Sequence, residues 1–70
     1  MLTNKELGDR IGVSQSMASR IRNGKRLPSI PVMIRMASYL DCDLIRLVNA
    51  HTQGANAFGV LVRELLRELD

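Results

Sequence analysis

The sequence predicts an all-α chain, a compact bundle of about five short helices ending in an amphipathic C-terminal helix. Three observations carry that expectation. Apolar residues recur at three- and four-residue spacing and nowhere alternate as they would along a half-buried strand. No internal repeat divides the 70 residues. Capping residues, glycines and prolines punctuate the chain at short intervals, which sets several short helices rather than a few long ones. With 46% hydrophobic and 24% charged residues the composition is that of a folded domain, neither disordered nor fibrous.

The first helix is expected to start at Asn4, because Thr3-Asn4-Lys5-Glu6 has the spacing of a capping box, and to end near Ile11 at the turn-forming Gly12. Ser14 is a good N-cap for a second helix, in which Met17, Ala18 and Ile21 recur at helical spacing and leave Gln15, Ser16, Ser19, Arg20 and Arg22 outside the core. Asn23-Gly24 stops that helix, and Lys25-Arg26-Leu27-Pro28 follows as a loop. Ser29 is expected to cap a third helix that tolerates Pro31 in its first turn and buries Ile30, Met33, Ile34, Ala37 and Leu40. Met33 and Met36 read as adaptable core filling. After the turn Asp41-Cys42-Asp43, Asp43 is expected to cap a fourth helix through Leu44, Leu47, Val48 and His51.

Residues 52–56 read as a short linker. Beyond them Phe58, Leu61, Val62, Leu65, Leu66 and Leu69 share one helix face, opposite Arg63, Glu64, Arg67 and Glu68. Positions 58, 62, 65 and 69 have a coiled-coil spacing but span too little length for a zipper by themselves. Packing onto its own domain and forming a dimer interface fit this pattern equally.

The charge is uneven. Residues 1–29 carry Lys5, Arg10, Arg20, Arg22, Lys25 and Arg26 against Glu6 and Asp9, a net +4, whereas residues 30–70 sum to −1. Four of the cations fall within positions 20–26 around Asn23-Gly24. Such a cluster is either a solvated helix end favoured by the macrodipole or an edge that faces phosphates and releases counterions on binding.

Other chemistry finds little support. Cys42 has no partner for an internal disulfide, and with His51 it makes neither a zinc site nor a nucleophile-base pair. No phosphate-cradling glycine loop appears, so neither an enzyme, a metal site nor a cofactor is expected. The charged N-terminus is unlike a signal peptide and no apolar run approaches a membrane span, so a cytoplasmic protein without a membrane partner is expected. Tyr39 and Phe58 are the only aromatics, too few for a stacking platform on single-stranded nucleic acid.

Two short helices joined by a tight glycine turn, the second polar and basic on its outer face, have the organisation of a helix-turn-helix. Ile11-Gly12-Val13-Ser14, Arg20-Ile21, Asn23-Gly24-Lys25-Arg26, Pro28-Ser29, Met36-Ala37 and Leu40, in this order and spacing, resemble the lambda-repressor/Cro-type (Xre-like) DNA-binding domains. The likeness runs from Leu7 to Leu47, about two thirds of the chain. It implies that helix 15–23 enters the major groove of an operator. Gln15, Ser16, Ser19 and Arg20 match base-reading positions, Gln15 suited to adenine and Arg20 to guanine. Asn4, Ser14, Arg22, Asn23, Lys25 and Arg26 fall at the phosphate-contacting edge.

The likeness also has a gap. Members of this family usually begin with a further helix, whose arginine pairs with a glutamate near the end of the recognition helix. Here the capping box follows directly on Met1-Leu2, and the glutamate position holds Arg22. The expectation is therefore that helix 57–69 substitutes for the missing helix, from its own chain or from a partner in an exchanged dimer, with Glu64 or Glu68 near Arg22. Residues 1–51 are then the helix-turn-helix core, 52–56 the linker, and 57–70 the helix that completes the core, dimerises or does both. The expected function is transcriptional regulation by a repressor bound, as a homodimer, to a palindromic duplex site, with no small-molecule ligand evident. The alternative is an antitoxin-like interaction module that seats its C-terminal helix in a groove on another protein.

Overall fold

The computed structural model describes residues 2–69, and α-helix is the only regular secondary structure in that range. Five helices follow one another: α1 (Asn4–Ile11), α2 (Gln15–Arg22), α3 (Ile30–Tyr39), α4 (Leu44–Thr52) and α5 (Ala55–Leu69). The capping box of α1 is complete, with Thr3 N–H donating to Glu6 Oε1 at 3.0 Å and Glu6 N–H donating to Thr3 Oγ1 at 3.1 Å. Gly12 ends α1 in the left-handed region, φ 79°, where a side chain would be strained. Ser14 Oγ accepts from Met17 N–H and starts α2.

The helices form a closed ring. Helix α1 packs on α2 and α3, α3 on α4, α4 on α5, and α5 on α2. The core fills the centre of that ring, each helix giving at least two buried side chains: Leu7 and Ile11, Ala18 and Ile21, Met33 and Met36, Leu47 and Ala50, Phe58 and Val62. Among the described residues α5 is thus the only element that bridges α2 to α4, and the all-α bundle closes through it.

Several local expectations need correction. The linker is only Gln53-Gly54, because α4 runs through Thr52 and α5 begins at Ala55. Ile30 and Ile34 are 64% and 52% exposed, not part of the core face of α3. The buried line there is Met33, Met36 and Leu40, a face turned toward Met36 because the helix must satisfy α1 on one side and α4 on the other. Leu44 is likewise exposed at the start of α4. Ser29 and Asp43 occupy N-cap positions but make no side-chain capping bond. At α3 the proline in the first turn removes one amide that a cap would have served.

On α5, Phe58, Val62, Leu65 and Leu66 are buried, Leu61 is half-buried, and Leu69 is 47% exposed. The 4-3-4 seam of positions 58, 62, 65 and 69 therefore lies in the chain's own core for its first three members, and only Leu69 projects beyond it.

Candidate nucleic-acid interface

Helix α2 sinks Ala18 and Ile21 into the core, with Met17 half-buried, and this fixes which residues face out. Gln15, Ser16 and Arg20 are exposed on the outer face, and Ser19 is half-buried beside them. At the C-terminal end Asn23 Nδ2 donates to Ser19 Oγ at 3.4 Å, so these two side chains sit in contact. The loop after α2 is tied back to the helix: Asn23 N–H donates to Ser19 O, Gly24 N–H to Ile21 O, and Lys25 N–H to Arg20 O. Lys25 and Arg26 leave this turn exposed to solvent. The loop then packs inward at the buried Pro28, whose carbonyl accepts from His51 Nε2 at 3.1 Å. His51 also meets the Phe58 ring edge-on, with centroids 6.1 Å apart. It is a buttress between loop, α4 and α5.

Asn4 and Arg22 are joined, and neither stands alone on the surface. The Arg22 guanidinium donates from Nη1 to Leu2 O at 2.8 Å and to Asn4 Oδ1 at 3.2 Å, clamping the start of α1 to the end of α2. The expected approach of Glu64 or Glu68 to Arg22 does not occur: both glutamates are exposed, and Arg22 turns to Leu2 and Asn4 instead. The α5 side chain that hydrogen-bonds this end of α2 is instead Arg63, whose Nη1 donates to the Arg22 carbonyl at 2.6 Å. A cation suits that position, since the last carbonyls of α2 lack intrahelical donors and form the negative end of its dipole. Thr3, Asn4, Arg22, Asn23, Arg63 and Arg67 surround an open cavity of about 450 Å³ between these three helices.

Two contacts that shape this interface lie at residues the sequence reading did not single out. A Cβ on Gly8 would stand 2.6 Å from Val13 O, so only glycine lets α1 lie this close to the turn that aims α2. A Cβ on Gly59 would stand 2.6 Å from Gly24 N and 2.7 Å from Gly24 Cα, so α5 docks against the end of α2 backbone to backbone. The available signal was a glycine in the middle of the most amphipathic helix, where it costs about 1 kcal/mol relative to alanine and so calls for a packing reason.

Electrostatically the interface is simple. Gln15, Ser16, Arg20, Lys25 and Arg26 form a polar, net positive surface, and among the described residues no group of three or more His, Cys, Asp or Glu gathers as for a metal ion. Among the described residues no helix is long and apolar enough to cross a membrane. Glu6, at the start of α1, has its carboxyl held below the usual range by the Thr3 backbone N–H and then by the Thr3 hydroxyl, so the capping box is ionised at neutral pH.

Residues 1–47, which contain α1, α2, α3 and the start of α4, match the protein family described as helix-turn-helix. No curated protein and no solved structure matches the chain.

Proposed function

The chain belongs to the lambda-repressor/Cro-type helix-turn-helix family of DNA-binding regulators, and from that membership we propose that it is a sequence-specific repressor, of phage or bacterial type, that occupies an operator with α2 in the major groove. The observation that carries the reading is the outer face of α2: exposed Gln15, Ser16 and Arg20, followed directly by exposed Lys25 and Arg26 on a loop tied to the helix end. Reading and anchoring groups are thus held on one rigid unit.

In this reading the Gln15 amide pairs with the donor and acceptor of adenine, and the Arg20 fork with the two acceptors of guanine. Ser16 and Ser19 complete the base-facing set. Asn4, Ser14, Asn23, Lys25 and Arg26 contact phosphates, and Arg22 does so from its clamp on Asn4. One α2 spans only a few base pairs. A homodimer on a palindromic site, with half-sites about one helical turn apart, supplies the rest of the specificity, and such a protein acts in the cytoplasm on the chromosome. The rival reading, an α5 that fills a groove on another protein, has less to draw on, because Phe58, Val62, Leu65 and Leu66 are buried within this chain.

Selection on random duplexes, with the affinity of the enriched duplex followed over salt concentration, tests the proposal. A palindromic enriched site with a steep salt dependence is expected. Failure to enrich any sequence rejects sequence-specific regulation.

A further inference from the structure

Three guanidinium groups gather at the C-terminal end of the reading helix, two of them contributed by α5. Arg22, Arg63 and Arg67 line the cavity of about 450 Å³ between the start of α1, the end of α2 and the second half of α5, and no carboxylate is among the described residues that line it. Two of the three arginines are already fixed in place. Arg22 spends Nη1 on Leu2 O and Asn4 Oδ1, and Arg63 spends Nη1 on Arg22 O.

Each guanidinium has five N–H donors, so both keep donors in reserve, on side chains whose freedom has largely been given up in folding. The same bonds cover the Leu2 and Arg22 carbonyls, two acceptors that would otherwise repel an anion. Because Asn4 Oδ1 accepts from Arg22, its Nδ2 is left as a donor. Arg67 stands one turn beyond Arg63, exposed, with its charge at the rim. Glu64 and Glu68 are exposed and outside the lining. The cavity thus offers donors in excess, a positive field and room for a tetrahedral oxyanion, the requirements of a phosphate ester.

We propose that this cavity seats a DNA backbone phosphate at the flank of the α2 footprint, and that Arg63 and Arg67 make α5 part of the DNA interface as well as part of the core. Position selects the DNA backbone over a free phosphate compound, because Asn4, Arg22 and Asn23 line both the cavity and the edge of α1 and α2 that faces DNA in the reading above. The proposal rests on that reading. It adds contacts from a helix that begins beyond the residues 1–47 matched to the family.

The test is Arg67→Ala, a change at an exposed side chain outside the core. On the enriched duplex the loss of one phosphate contact is expected to weaken binding roughly three- to tenfold at 0.1 M salt and to lower the salt slope by about one, with Arg67→Lys restoring most of it. A duplex carrying a single uncharged methylphosphonate at the flanking position should weaken the wild-type chain at least as much as Arg67→Ala does, and should weaken Arg67→Ala by less than it weakens the wild type, because Arg22, Arg63 and Asn4 still face that phosphate in the variant. Wild-type affinity and slope in Arg67→Ala, on a duplex that Lys25→Ala binds weakly, overturns the proposal and leaves the DNA reading standing. If the wild-type chain binds no duplex, both fall. In that case shifts of the arginine side-chain resonances on titration with inorganic phosphate assign the cavity to a free phosphate compound instead.

Discussion

Arg20 and Lys25 carry the same charge five positions apart, yet the reading above gives them different work. Arg20 projects from α2 as a planar fork, whereas Lys25 leaves the turn as a flexible point charge. Arg20→Ala is expected to weaken specific binding by about 1–3 kcal/mol and to relax preference at one base pair. Lys25→Ala is expected to weaken binding to all duplexes alike and to lower the salt slope by about 1. Equal losses on specific and random DNA from both variants would reject the division. Glu6 allows a prediction of a different kind. Hydrogen bonds from Thr3 depress its carboxyl in the folded chain. Its contribution is therefore complete above the ordinary value of 4.5 and is lost as pH falls through the lowered folded value. Thermal unfolding should show wild type losing more stability than Glu6→Gln between pH 7 and pH 3, and parallel losses would count against the capping box as the cause.

Among the elements α5 has the widest consequences, because it alone links α2 to α4 in the ring. Removing residues 57–70 takes away Phe58, Val62, Leu65 and Leu66, each worth about 1.5–3 kcal/mol on burial. That total exceeds the roughly 3–5 kcal/mol that a domain of this size retains. The truncated chain should therefore lack cooperative melting in circular dichroism, and a truncated chain that melts cooperatively at full helicity would show that α1 to α4 fold alone. The Gly24–Gly59 approach makes a finer prediction. Gly59→Ala gains up to about 1 kcal/mol of helix propensity, but its Cβ would lie 2.6 Å from main-chain nitrogen that no side-chain rotation can move. A net loss of about 1–3 kcal/mol in urea unfolding is expected. A stabilised variant would mean that α5 does not sit this close to α2.

For the whole molecule, the net charge of +3 conceals a first part, residues 1–29, at +4 and a remainder at −1. The excess positive charge lies in α1, α2 and their loop, the segments that face DNA in the proposed function, while α3 and α4 serve as scaffold. In the further proposal α5 has two faces, with Phe58 and Val62 inward and Arg63 and Arg67 at the cavity. A duplex with two half-sites is expected to take up two chains, and sedimentation of the complex gives the count directly. A single chain on a palindromic duplex would argue against the homodimer.

Much of this architecture is written in short-range chemistry. Thr3 and Glu6, Ser14, and Asn23-Gly24 mark ends of α1 and α2 because their side chains or backbone freedom act within one turn, and hydrophobic periodicity alone places Ala18 and Ile21 inward, leaving Gln15, Ser16 and Arg20 outward. The same local reasoning misplaced Ile30 and Ile34, because which side of a largely apolar helix is buried depends on where its neighbours lie. It also set Glu64 or Glu68 against Arg22, where the bundle instead brings Arg63 to the α2 carbonyl. Sequence spacing measures distance along one helix. The pairing of Gly24 with Gly59, the clamp of Arg22 on Asn4 and the gathering of three arginines around one cavity all join residues from different helices. Such meetings arise only when the helices assemble, since close packing of one buried core sets the relative position of every helix at once.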